Sequence, residues 1–207
     1  MALKKSVRSI LTLSFIIILF STSIPTGRAH ALSEHFNSAG LPSLDAFVEQ
    51  VRNGQADEIR GLYIREILVA RIVQQPTGMD EFISPWQNVV TQFSLASKLG
   101  STGLLAHNYL AGERFALLQE GRQFHLIHGD GRISTFIVTE VLRYQALDPT
   151  STSSAFMDLD GQSTLTYSDL FTKVYNRPGQ LVFQTCINSG DDPAWGRLFI
   201  IAEPYSQ

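Results

Sequence analysis

Beyond residue 40 the apolar positions fall into short runs with the periods of folded elements. Leu44, Phe47, Val48 and Val51 recur at helical spacing behind Ser43, a suitable N-cap, and Gly54 ends the run; this predicts a short amphipathic helix. Leu62 to Val73 (LYIREILVARIV) is rich in β-branched residues and predicts one long strand or two short ones. Ser84-Pro85 has the form of a helix start, with Trp86, Val89, Val90 and Phe93 on one face of a second helix. The C-terminal half reads as β. Arg122 to His128 and Arg132 to Leu142 are strand-like runs joined by Gly129-Asp130-Gly131, a strong hairpin signal. Gln180 to Ile187 and Leu198 to Ala202 form another pair around a polar loop, Asn188 to Gly196. A short helix over about Ser168 to Tyr175 precedes them, and Pro149 to Ser154 (PTSTSS) reads as a loop. No internal repeat is visible. Many short strands with a few small helices predict a mainly β fold, a closed or nearly closed barrel.

Residues 1–31 stand apart. Lys4, Lys5 and Arg8 form a basic start, Ile10 to Ile24 is mostly apolar, and Pro25 and Gly27 break any helix before Ala29-His30-Ala31, an A-x-A cleavage pattern. The run is shorter than the roughly 20 residues a spanning helix needs. We therefore expect an export signal over residues 1–31, cleaved after Ala31 rather than kept as an anchor, and one domain over residues 32–207. At 207 residues and 44% hydrophobic content, one domain with a full core is the natural reading. The net charge is −3, and losing Lys4, Lys5, Arg8 and Arg28 makes the rest more acidic. An acidic chain without a basic run argues against nucleic acid as a partner.

Chemistry concentrates near the C-terminus. The chain holds one cysteine, Cys186, at the end of the apolar run Leu181-Val182-Phe183-Gln184-Thr185-Cys186. A single cysteine in an exported chain cannot close an intramolecular disulfide, so the thiol is tolerated, paired with another chain, or used. Arg197 opens the next apolar run, and His107 follows Gly103-Leu104-Leu105-Ala106. A thiol is mostly protonated at neutral pH and becomes a nucleophile beside a cation. Cys186 would attack a carbonyl to give a thioacyl-enzyme, and His107 would protonate the leaving amine and then deprotonate the next nucleophile. Arginine cannot serve as a base, so Arg197 would hold the carbonyl or its oxyanion. Thr185, Ala106 and Asn108, flanking the two reactive residues, are candidate substrate-binding residues. The alternative is a core cysteine, since free cysteine is among the most buried residue types.

Other clusters carry less. His125 and His128 are three apart on a strand, point to opposite faces and cannot chelate one metal. Asp158-Leu159-Asp160-Gly161 hints at a calcium loop, but Ser163 stands where such a loop needs glycine, so a turn is expected. No metal or cofactor is called for.

From Leu104 to Glu203 the order of these pieces resembles the sortases, exported cysteine transpeptidases of bacterial surfaces. LLAHNYLAG, Phe115-Ala116-Leu117-Leu118-Gln119-Glu120-Gly121, the hairpin RQFHLIHGDGRISTFIVTEV, FQTC and WGRLFIIAE follow the family's sequence of features. These are a histidine after an apolar strand, a turn into a hairpin, a Thr-Cys at a strand end and an arginine on the next strand. The resemblance implies a sortase-like β-barrel of about eight strands with a few short helices. It also implies His107, Cys186 and Arg197 as catalytic residues, with Arg197 on the substrate carbonyl. The implied partners are a peptide sorting motif of exported proteins and an amine acceptor, from cell wall or pilin-like protein, or water. Loops 147–162 and 188–196 would wall the groove. Two other readings remain: a secreted, non-enzymatic peptide- or wall-binding module on the same barrel, and an L,D-transpeptidase, whose usual S-H-G-C run this chain lacks.

Overall fold

Alternation of buried and exposed positions along ten strands builds the molecule, a computed structural model that describes residues 40–151, 153–161 and 163–206. The export signal expected over residues 1–31, and the boundary after it, lie outside the described residues. The strands are β1 (Ile59–Ile64), β2 (Leu68–Gln74), β3 (Val89–Phe93), β4 (Thr102–Leu105), β5 (Gln123–His128), β6 (Ile133–Ala146), β7 (Phe156–Asp158), β8 (Thr164–Leu165), β9 (Leu181–Ser189) and β10 (Asp192–Pro204). Four helices accompany them: α1 (Leu44–Val51), α2 (Ser94–Lys98), α3 (Ala111–Phe115) and α4 (Tyr167–Tyr175). Strand order is β10-β9-β4-β3-β2-β1-β5-β6, and β10 pairs back onto β6, so eight strands close into a barrel. β7 and β8 extend it from β6. The mainly β barrel expected from the sequence is present.

Most pairings are antiparallel, but β2–β3 and β4–β9 are parallel. The second sets the site, because it lays the end of β4 beside the cysteine strand. The barrel interior is filled by Leu62, Ile64, Val90, Leu104, Phe115, Phe124, Leu181, Phe183, Leu198 and Ile200, among others. A second apolar layer lies outside the wall, where Val182, Phe199, Ile201 and Leu105 meet Leu170, Val174 and Tyr175 of α4. Burying each of those α4 side chains contributes about 1.5–3 kcal/mol, which anchors the helix over the β4–β9–β10 face. Its start is fixed by Thr166, whose hydroxyl accepts from the Asp169 N–H at 3.2 Å, a cap worth about 1 kcal/mol. α1 begins at Ser43 in the same way and lays Phe47, Val48 and Val51 on Tyr63, Val69 and Ile127.

Two expectations change. The second helix predicted from Ser84 is strand β3. Trp86, Val89, Val90 and Phe93 match a helical period, but Val90 fills the barrel interior while Phe93 joins the outer layer. A strand buried on both faces has no polar alternation to betray it, and Asn88, at φ 55°, turns the chain into it. The polar loop Asn188 to Gly196 is mostly strand. β9 runs to Ser189 and β10 starts at Asp192, with Gly190 at φ 57° in the turn and an irregular register between Asp192 and Gly196. Polarity there records an arm projecting into water. The segment Leu62 to Val73 resolves into β1 and β2, and Asp158 Oδ1 accepts from the N–H groups of Asp160 and Gly161, the expected turn.

Candidate active site

Side-chain direction on β9 is settled by its neighbours. Leu181 and Phe183 point into the barrel, Val182 to the outer layer. The period of two then turns Gln184 and Cys186 outward, and the thiol is half-buried and unpaired. On β10, Leu198 and Ile200 point inward and Phe199 and Ile201 outward, so Arg197 shares the face of Cys186. The two residues are directly opposite in the antiparallel ladder.

β9 meets β4 on its other edge. Leu104 pairs with Phe183 and Leu105 with Gln184, and the Ala106 N–H donates to the Gln184 carbonyl at 3.3 Å. The ladder ends there, and His107 follows two residues past its last pair. Cysteine and arginine thus face each other in one ladder, and the histidine follows the end of the strand on the other side of β9. After His107 the chain turns: its carbonyl accepts from the N–H groups of Leu110 and Gly112 at 3.0 and 3.1 Å. The imidazole stacks on the exposed Tyr109 ring, centroids 5.2 Å apart. Asn108 Nδ2 donates to the Pro193 carbonyl at 2.9 Å, tying this turn to the start of β10.

Arg197 is held by backbone. Nη1 donates to the carbonyls of Ala194 and Gly196 at 2.8 and 2.9 Å, and the guanidinium lies over the Phe156 ring. None of the ion pairs among the described residues involves it. A half-buried guanidinium with donors to spare and no carboxylate partner is set up to receive an anion or a carbonyl oxygen.

Cys186, Arg197 and Gln184 line a cavity of about 380 Å³ whose apolar wall includes Phe93, Leu105, Phe156, Leu170, Phe171 and Phe199. Asp80, Glu81 and Ser151 contribute polar edges. His107 is not part of that lining. A more open cavity of about 540 Å³ lies around Arg65, Arg122 and His125. It contains none of the three candidate residues, so the smaller one is the relevant groove. His125 and His128 serve elsewhere, bonded to Thr135 and Ser134. Burial first, then Arg65 and Arg132 respectively, holds both imidazoles below the ordinary value.

The remaining sequence candidates lie differently. Ala106 and Thr185 are both 4% exposed and face inward, away from the groove. Thr185 Oγ1 is a buried hydroxyl without a hydrogen-bond partner. Asn108 is engaged with Pro193 as above. Sequence reading missed Gln184 as a groove residue, although its two-residue spacing from Cys186 puts both on one face. It also missed Phe156 and the α4 wall, which carry no motif.

Gly112 supports the histidine turn. A Cβ there would collide with Thr185 Oγ1 and stand 2.6 Å from the His107 carbonyl and 2.7 Å from that of Ala106. Gly112→Ala gains about 1 kcal/mol of helix propensity, but overpacking against fixed backbone costs about 1–3 kcal/mol, so the clash wins. The expected result is a lower melting temperature and a Cys186 alkylation rate reduced about tenfold, because moving the His107 carbonyl moves the turn. An unchanged rate in a folded variant would separate this turn from thiol chemistry.

No family model matches the chain, and no curated protein matches it. Solved structures do. Sortase C from Clostridium perfringens SM101 aligns at TM-score 0.44 and 12% identity, over 79% of this chain and 84% of that one. Sortase C-1 from Actinomyces oris aligns at 0.48 and 13%, over 80% and 82%. A Clostridium perfringens sortase D5 transpeptidase aligns at 0.46 and 18%, over 79% and 87%.

Proposed function

We propose that the chain is a sortase-like cysteine transpeptidase, exported through its N-terminal segment, that cleaves an extended peptide through a thioacyl-enzyme. The observation that carries this reading is the Cys186–Arg197 pair, opposite each other on β9 and β10 and open to an apolar groove, with the His107 turn on the other edge of β9.

Cys186 gives its proton to His107 and its sulfur attacks the peptide carbonyl. The oxyanion forms against the Arg197 guanidinium, which Ala194 and Gly196 hold in place before substrate arrives. As the intermediate collapses, the C–N bond breaks, His107 protonates the departing amine, and the acyl group stays on sulfur. An amine or water then attacks the thioester, loses its proton to His107, and the thiol returns. The groove next to Cys186 suits an extended peptide with apolar side chains, and no step calls for a metal.

The test is chemical. The purified protein is incubated with a mixture of apolar-rich peptides, first alone and followed by intact mass, then with excess hydroxylamine to release the acyl group. An acyl adduct on Cys186 and released peptide hydroxamates are expected, together with fast iodoacetamide alkylation in the native state. Native alkylation with no adduct from any peptide would leave a reactive thiol of other use. A thiol that reacts only after unfolding would reject the enzyme in favour of a binding module.

A further inference from the structure

Gln184 carries an acceptor and a donor, and the fold occupies only the acceptor. Its amide oxygen accepts from the Tyr175 hydroxyl. Tyr175 is 2% exposed and wedged among Phe93, Phe171 and Phe199, with centroids 5.3, 5.1 and 6.3 Å away. Burial pushes its phenol well above the ordinary value, so the hydroxyl stays a donor. Rotating the amide would strand that buried O–H at a cost of about 1–3 kcal/mol, so the amide orientation is fixed. Gln184 Nε2 has no hydrogen-bond partner among the described residues. Among the described residues the buried side-chain polar atoms lacking a partner are Arg60 Nε, Tyr144 Oη and Thr185 Oγ1, so Nε2 is not sealed in. Gln184 lines the cavity with Cys186, so this donor is the end of its amide left for a ligand there.

Spacing then identifies what it meets. Residues two apart on a strand are about 6.7 Å apart, and an extended peptide repeats its carbonyls on one side with the same period. The acyl part of a substrate stays bound to sulfur and needs the enclosed cavity, on the Gln184 side. The leaving and entering amines need the open side, where Asn188 and Ser189 are exposed. Resting on the proposed function, we infer that Gln184 Nε2 donates to the backbone carbonyl two residues N-terminal to the one Cys186 attacks, with Tyr175 as the positioning residue behind it. The substrate is thereby an extended peptide with an acceptor at that position.

A pair of probes tests this. One is an N-acetyl tripeptide diazomethyl ketone carrying a sequence that acylates Cys186, the other the same compound with the amide between its first two residues replaced by an (E)-alkene, which keeps the extended shape without the oxygen. With the native protein the alkene probe is expected to show a KI about tenfold weaker at unchanged kinact, one good hydrogen bond. In Gln184→Ala, and in the isosteric Gln184→Glu, the two probes should bind alike. Tyr175→Phe frees the amide to turn and should shrink the difference without touching kinact. If Gln184→Ala still discriminates as the native protein does, or if it changes kinact instead of KI, this inference falls and the proposed function stands. If the amide probe leaves native Cys186 unlabelled while iodoacetamide labels it, the proposed function falls and takes the inference with it.

Discussion

Cys186→Ala is expected to form no acyl adduct with any peptide while melting within a few degrees of the native protein. The thiol sits half-buried at the groove surface, with no hydrogen bond or disulfide to lose. Cysteine and alanine are close in size, and substitutions outside the packed core usually change stability by about 0.5 kcal/mol. Removing a nucleophile, by contrast, removes the only route to a covalent intermediate. Acyl-adduct formation by intact mass and melting by circular dichroism check the two halves separately. A variant that still cleaves peptide would displace Cys186 from the mechanism, and one that unfolds would make it a core residue.

Arg197→Lys is expected to slow peptide acylation about 10²–10³-fold, the usual cost of losing an oxyanion donor, while iodoacetamide alkylation changes far less. The substitution keeps the positive charge. What it removes is the planar fork that reaches the carbonyls of Ala194 and Gly196 with one nitrogen and leaves the others for substrate. Lysine offers a point charge on a flexible stem and must choose between those carbonyls and the oxyanion. Alkylation of a thiol passes through no oxyanion, so comparing the two rates isolates the arginine's part. Parallel losses in both reactions would show that Arg197 acts on the thiol instead.

Much of the candidate site's placement was legible because its residues lie on or next to regular strands. The runs ending at Cys186 and beginning at Arg197 have plain apolar signatures, and a short connection between them implies an antiparallel pair. Their being directly opposite could not be read, because register depends on the irregular stretch between Asp192 and Gly196. The parallel β4–β9 contact was equally hidden. It joins segments far apart in the chain, and no local pattern encodes which strand lies next to which. Thr185 and Ala106 misled for a simple reason: neighbours in sequence on a strand face opposite ways. Gln184 was overlooked because its significance depends on Tyr175, a residue of α4 whose side chain reads from sequence as ordinary core.

The parallel pairing of β4 with β9, and the return of β10 onto β6, bear on when reactivity arises. Local hairpins such as β1–β2 and β5–β6 need only short loops to close, whereas both of these contacts join distant segments and form slowly. Until β9 docks between β4 and β10, the thiol is that of an unfolded chain, mostly protonated at neutral pH. A partly folded chain therefore carries an ordinary thiol, open to alkylation but without the groove that would hold a peptide carbonyl against it. In refolding from denaturant, alkylation of Cys186 becomes a clock for barrel closure: its rate should depart from that of a free thiol only after the hairpins have already restored most of the far-ultraviolet signal.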